Sequence, residues 1–188
     1  EGVDVPGLDG VAFIDPKSSQ IDIVQAVGRA IRLSDNKTIG TIILPVFIEI
    51  GEDAKQSIDS SNFKPIWSVI NALRSHDDTL SFELDNFRTK LGIQGGGKIN
   101  TSFSKIFFDL PETVDTSFSE SLKTYLVEKT TGPWSFWLGS LKKYVAENGN
   151  ARVPTRKNVD GFKLGSWVND QRKSYHKDRL SKERIKRL

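Results

Sequence analysis

The sequence predicts an α/β segment at the N-terminal end, followed by an all-α region whose last part is a small three-helix unit. Two apolar runs rich in β-branched residues, 11–14 and 38–50, flank an amphipathic pattern over residues 20–33. Strand, helix and strand in this order are typical of an open parallel sheet. After residue 50 the apolar residues recur mainly at intervals of three and four, which is helical periodicity.

Composition narrows the classes of protein to which the chain can belong. It has 188 residues, of which 37% are apolar, so it can bury a core. The lack of cysteine excludes disulfides and a cysteine nucleophile, and with only two histidines no metal site is predicted. No membrane span or signal peptide is visible, and the sequence contains no methionine. We therefore expect a piece of a longer cytoplasmic protein.

Charge is distributed unevenly along the chain. Residues 137–188 carry 14 lysines and arginines against 5 acidic residues, a net charge of +9, whereas the rest carries a net charge of −6. Segments that differ this much in charge are expected to differ in role. We divide the chain into an α/β segment (1–50), a mainly helical connector (51–133) and a basic three-helix unit (134–188).

The connector is predicted to contain three helices and one short strand. Residues 51–62 are polar and form a linker, and Pro65 suits the first turn of a helix. The predicted elements are helices Pro65–Arg74, Leu80–Leu91 (ended by Gly92) and Phe118–Lys129, and a strand Lys105–Leu110. In the last unit, Gly149 and Ser181 are predicted to cap helices. Trp137, Trp167 and Tyr175 fall on apolar faces, and we interpret the tryptophans as core residues rather than platforms for bases.

One helix face in the first segment carries a polar stripe that packing does not require. Gln25, Arg29 and Arg32 are spaced at i, i+4 and i+7, so they share one face. Gly28 lies beside them, and a glycine inside a helix costs about 1 kcal/mol relative to alanine, which indicates a close approach to the backbone. On spacing alone, the stripe is either functional or a solvated basic face.

The segment around this stripe resembles the fifth and sixth motifs of superfamily two helicases of the DEAD/DEAH type. The matching stretches are GVDVP at residues 2–6 and QAVGRAIR at residues 25–32, in that family's order and separation. The resemblance implies that residues 1–50 are the C-terminal end of a second RecA-like lobe, with a parallel sheet. It also implies ATP and Mg²⁺ as cofactors of the full-length protein, bound mainly by a first lobe that this chain lacks.

The same resemblance implies roles for individual residues. Arg29 and Arg32 would face the ATP, with Gln25 near the γ-phosphate. The implied cofactor-binding residues are Gly2, Asp4 (near the ribose) and Gly28. An arginine is planar and always charged, so two on one helix face can stabilise the phosphoryl group during transfer.

A glycine-rich stretch, GIQGGGKI at residues 92–99, matches the spacing of a P-loop, but we interpret it as an ordinary loop. Ile99 stands where a P-loop has the serine or threonine that holds Mg²⁺, and a helical pattern rather than a strand precedes the stretch. The chain alone is therefore expected to bind no cofactor and to hydrolyse no ATP.

Residues 134–188 resemble the helicase-associated domain, a small three-helix module. The matching residues are Trp137, Leu141, Tyr144, Gly149, Val153, Pro154, Gly161, Leu164, Gly165, Trp167, Val168, Gln171, Arg172, Leu180 and Ser181. Basic side chains cluster on or after its second helix, opposite the apolar face: Lys163, Arg172, Lys173, His176, Lys177 and Arg179. Such a face predicts phosphate binding, with DNA or RNA as the partner. The alternative is that these charged residues form an ordinary solvated surface and bind no partner.

These observations predict the C-terminal fragment of an ATP-dependent nucleic-acid helicase or translocase. Its ATP site would be shared with the first RecA-like lobe of the same chain, and no membrane partner is predicted. Two alternatives remain open. In the first, the chain is a stand-alone nucleic-acid-binding module. In the second, it is a protein-interaction module that uses the acidic middle region as its contact surface.

Overall fold

In a computed structural model of the chain, the structure describes residues 10–13, 25, 28, 39–48, 57–58 and 63–188. The chain divides into two compact units, one of residues 1–82 and 103–130 and one of residues 83–102 and 131–188. The named elements of the described part are β1 (Gly10–Ala12), β2 (Thr41–Ile43), α1 (Lys64–Arg74), α2 (Asp78–Gln94), α3 (Thr116–Thr130), α4 (Pro133–Asn148), α5 (Leu164–His176) and α6 (Lys182–Arg187).

The first unit contains a two-stranded parallel sheet. β1 and β2 pair in register, with Gly10 opposite Thr41 and Ala12 opposite Ile43. A parallel pair of strands needs a crossover connection. Gln25 and Gly28, which lie between the two strands in the sequence, are helical. Two strands are therefore confirmed at the two predicted apolar runs, with β1 beginning one residue before the run 11–14. Each is three residues long, shorter than its run.

Helix α1 covers this sheet. Its buried Val69 and Ala72 pack against Phe13 of the loop after β1 and against Ile42 and Leu44 in and after β2. Pro65 lies in the first turn of α1, where the absent N–H would have no partner in the helix. α1 also packs against α3. Asp115 caps the start of α3, because the Asp115 carboxylate accepts a hydrogen bond from the Phe118 N–H at 2.6 Å.

Asp77 caps the start of α2. Its carboxylate accepts hydrogen bonds from the N–H groups of Thr79 and Leu80, each at 3.0 Å, and pairs with Lys105 at 2.5 Å. Burial alone would raise the pKa of Asp77, but the hydrogen bonds from Lys105, Thr79 and Leu80 outweigh it and hold the pKa well below its ordinary value. The cap therefore works best while Asp77 is ionised.

Replacing Asp77 with alanine is expected to lower the free energy of unfolding by about 1 kcal/mol at neutral pH, the usual effect of losing an N-cap. Because folding lowers this pKa, the stabilisation is present above the ordinary pKa of aspartate and is lost as the pH falls toward the folded value. Urea unfolding at pH 7 and at acidic pH measures both effects. The exposed Asp109→Ala is the matched control. An equal loss in the two variants at pH 7 would contradict the capping role.

Two predictions for the connector are wrong. Residues 105–110 are not a strand: among the described residues they pair with no strand, and Phe107 is 87% exposed. Gly92 does not end its helix but lies inside α2. The reason is packing against α4, since a Cβ atom at Gly92 would lie 1.9 Å from the carbonyl oxygen of Phe136.

This crossing of α2 and α4 is close on both sides. A Cβ atom at Gly139 of α4 would lie 2.0 Å from the carbonyl oxygen of Thr89 in α2. Each helix therefore has a glycine where the backbone of the other passes. The second unit consequently contains residues 83–94 of α2 in addition to α4, α5 and α6.

The core of the second unit lies between α4, α5 and the segment that joins them. Its buried residues are Leu141, Tyr144, Val153, Val159, Leu164 and Val168, with Trp137, Val145 and Trp167 partly buried against them. Gly149 ends α4 with a φ of +72°, which confirms the predicted C-cap. The Ser181 hydroxyl accepts a hydrogen bond from the Arg184 N–H at 3.3 Å, which confirms the predicted cap of α6.

None of the described helices combines the length and the apolar character needed to cross a bilayer.

Candidate nucleic-acid interface

Helix α5 has one face fixed in the core and one face open to solvent. Leu164 and Val168, four residues apart, are buried, and Gly165 between them lies directly against the preceding loop. A Cβ atom at Gly165 would lie 2.1 Å from the Pro154 carbonyl oxygen, and the Gly165 N–H donates to the Lys157 carbonyl at 2.9 Å. The start of α5 is therefore held tightly, which fixes the direction of its outer face.

The open face carries the predicted basic residues. All six are exposed: Lys163, Arg172, Lys173, His176, Lys177 and Arg179. Five of them lie in or after the second half of α5, where the carbonyl end of the helix favours positive charge. These five are exposed and close together in the sequence, so a polyanion can reach them, whereas Lys163 lies at the other end of α5.

Few interactions within the chain neutralise these charges. Lys173 and Asp170 are 4.0 Å apart and both largely exposed, so this pair contributes little. Arg172 donates to the Ala151 carbonyl at 3.2 Å, which positions the guanidinium without neutralising it. Among the residues that the structure describes, no carboxylate forms an ion pair with Lys163, Lys177 or Arg179.

A second basic group was missed by the sequence reasoning. The guanidinium carbons of Arg184 and Arg187, on α6, lie 5.2 and 5.1 Å from the ring centroid of Trp134. Such cation–π contacts hold the short α6 against the start of α4. Arg187 also forms an ion pair with Glu183 at 3.7 Å. The Trp134 indole N–H also donates to the Gln171 side-chain oxygen at 3.0 Å. The signal in the sequence was the charge pattern KERIKR at residues 182–187.

Between α5 and α6 lies an open groove of about 340 Å³. Its apolar lining includes Trp167, Val168, Tyr175, Leu180, Ile185 and Leu188. Tyr175, predicted to lie on the apolar face of α5, lines this groove together with Trp167 and Val168, but 55% of it is exposed. It lies one turn beyond Gln171 in α5, and Ile185 of α6 lines the same groove.

The residues implied in ATP chemistry are only partly described. Gln25 and Gly28 are helical and exposed, and in the described part of the chain no atom other than those of its own helix backbone and two neighbours lies within 4 Å of where a Cβ atom would stand at Gly28. Packing within the described part of the chain thus gives no reason for this glycine. Gly2, Asp4, Arg29 and Arg32 lie outside the described residues.

The glycine-rich stretch has structural roles in the second unit. It follows a helix rather than a strand, and Gly95, Gly96 and Gly97 all have positive φ angles. A Cβ atom at Gly95 would lie 2.4 Å from a carboxylate oxygen of Asp160, which pairs with Lys143 at 2.6 Å. The hydrogen bond to Asp160 raises the pKa of Lys143.

Within the described residues, no three acidic, histidine or cysteine side chains are grouped as a metal site requires.

Comparison with known proteins shows which families and solved structures the chain is similar to. The model of the helicase associated domain family matches residues 131–188. Among solved structures, the chain is similar to the "ATP-dependent Type ISP restriction-modification enzyme LlaBIII bound to DNA", with 29% identity and a TM-score of 0.51 over 81% of this chain and 11% of that one. The chain therefore spans about a tenth of that enzyme's length. No curated protein matches significantly. Residues 131–188 of this chain are a helicase-associated domain.

Proposed function

We propose that the chain is the C-terminal part of an ATP-dependent helicase or translocase that acts on DNA, and that α5 contacts the phosphate backbone. The observation that carries the proposal is the exposed basic face of α5, Lys163 with the cations from Arg172 to Arg179, on a helicase-associated domain. The similar enzyme is ATP-dependent and was solved bound to DNA, which favours DNA over RNA as the partner.

The motor part of the proposal rests on the first unit. A parallel β1–β2 pair with helical residues between the strands is compatible with the end of a RecA-like lobe. Gln25 and Gly28 are exposed, and the space around Gly28 is open, so a second surface can approach this helix. Arg29 and Arg32, on the same stretch, would supply positive charge to the phosphate oxygens of ATP, which the first lobe would hold together with Mg²⁺. The bound nucleotide supplies the transferable phosphoryl group.

The phosphate contacts predict a steep dependence of binding on salt. Each neutralised phosphate releases condensed counterions, so four contacts give a log–log slope of about −3 to −4 on duplex DNA. The Arg172→Ala/Lys173→Ala double variant is expected to flatten this slope by about two units, because it removes two of the contacts. Fluorescence anisotropy with the whole 188-residue chain and a labelled duplex, from low to moderate salt, measures the slope.

The matched control is Lys64→Ala/Lys123→Ala, which removes the same net charge from α1 and α3 of the first unit. If both double variants flatten the slope equally, the overall charge of the chain and not the face of α5 governs binding. If the folded chain does not bind DNA even at low salt, the proposal is wrong and the basic face is only a solvated surface.

A further inference from the structure

The groove between α5 and α6 combines open apolar surface with positive charge at its rim. Tyr175 and Ile185, which line it, are 55% and 43% exposed. Exposed apolar side chains that are contiguous mark a binding site more often than ordinary surface. Arg172 and His176 also line the groove, and both belong to the basic face of α5.

The dimensions and chemistry of the groove suit one planar aromatic ligand. A volume of about 340 Å³ lies at the lower end of sites for small molecules, which are mainly apolar with a few polar groups. Trp167 packs on Trp137, with ring centroids 6.2 Å apart, so its position is fixed. Tyr175 has no such neighbour in the described aromatic contacts except His176, whose ring centroid is 5.9 Å away. Tyr175 therefore keeps much of its surface accessible to a stacking partner.

The charge around the groove indicates which class of aromatic ligand it can bind. Residues 170–188, which include part of α5 and all of α6, carry eight lysines and arginines against three acidic residues, so their net positive charge attracts a polyanion and disfavours a basic peptide. A nucleic acid supplies phosphates for these cations and bases for the apolar groove. A duplex keeps its bases stacked inside the helix, whereas a single strand can turn one base outward.

We infer that the groove between α5 and α6 binds one unpaired base of single-stranded DNA. The base stacks on Tyr175, while Arg172 and His176 at the rim contact the flanking phosphates. This inference rests on the proposed function, because it requires that α5 bind DNA at all. It adds a preference for single strands that phosphate contacts alone do not give. Stacking accepts any base, so no sequence preference is expected.

The test compares two labelled single strands of equal length and charge, an oligothymidylate and the same backbone with abasic sites, using anisotropy and the whole chain. The oligothymidylate is expected to bind at least about fivefold more tightly, the smaller effect typical of one stacked base. Tyr175→Ala should remove this preference while leaving the affinity for the abasic strand and the salt dependence unchanged. Since Tyr175 is 55% exposed, its removal is compatible with folding, which circular dichroism checks.

A second variant tests the groove without removing an aromatic ring. Ala151 is exposed and lines the groove, so Ala151→Leu narrows it and should also abolish the preference for bases. Phe107→Ala removes an aromatic side chain that is 87% exposed elsewhere and should have no effect. If the chain binds both strands equally, or if the preference survives in both groove variants, the inference is wrong while the phosphate contacts stand. If neither strand binds while the labelled duplex does, the inference is wrong and the proposed function stands; if the duplex does not bind either, both are wrong.

Discussion

Replacing either Arg29 or Arg32 with alanine in the full-length protein is expected to lower DNA-stimulated ATP hydrolysis by about a thousandfold or more, while ATP binding stays largely intact. The reasoning follows arginine fingers in other phosphoryl-transfer enzymes, where one positioned arginine raises turnover by about 10³ to 10⁵. Such an arginine acts mainly on the charge of the transition state. Its loss therefore affects turnover far more than the affinity for ATP.

The design of this experiment separates charge from geometry. Arg29→Lys keeps the positive charge but loses the planar guanidinium, so its activity should remain far below that of the unsubstituted protein. Lys64→Ala, at an exposed position in α1, is the control for losing one cation elsewhere. Turnover is measured with saturating ATP and DNA, and binding with a fluorescent ATP analogue. Near-normal turnover in both alanine variants would mean that the stripe is a solvated basic face.

The second large effect concerns the crossing of α2 and α4. Gly92→Ala and Gly139→Ala are each expected to lower the free energy of unfolding by about 2 kcal/mol or more. The added methyl group would meet a backbone carbonyl at 1.9 Å in the first case and at 2.0 Å in the second. A carbonyl within a helix cannot move aside as a side chain does, so the two helices must separate. The gain in helix propensity, about 1 kcal/mol, offsets only part of this cost.

Gly28→Ala is the matched control for the crossing. Gly28 is also helical, but no described part of the chain beyond its own helix lies within 4 Å of the added methyl group, so this variant is expected to gain up to about 1 kcal/mol from helix propensity. Urea unfolding of the three variants, followed by far-ultraviolet circular dichroism, gives the comparison. If Gly139→Ala stabilises the chain as Gly28→Ala does, α2 and α4 do not approach each other this closely.

The helices with strong local signals could be predicted from the sequence. α1 begins next to Pro65, α4 ends at Gly149, and α6 begins after Ser181. Each of these residue types favours the end of a helix at which it stands. The helicase-associated domain was also recognised from the sequence, and the family match over residues 131–188 confirms it. The assignment of motor motifs to residues 2–6 and 25–32 stays a prediction.

Features that depend on packing between distant segments could not be predicted. Gly92 reads locally as a helix end, because only the backbone of Phe136, more than forty residues later, shows why a glycine is needed there. The apolar run at 105–110 favours a strand, yet a strand requires a partner that the local sequence cannot identify. The groove beside Tyr175 depends on where α6 lies, and α6 is held partly by Arg184 and Arg187 on Trp134.

The clustering of indole rings in the second unit gives the chain a spectroscopic signature. Of four tryptophans, Trp134 and Trp137 lie with ring centroids 6.1 and 6.2 Å from that of Trp167. Chromophores this close couple electronically, so the near-ultraviolet circular dichroism of the protein should be dominated by this trio. Trp67 stacks instead on Phe63 in the first unit. Loss of the coupled signal while the far-ultraviolet signal persists would therefore report loosening of the helicase-associated domain specifically.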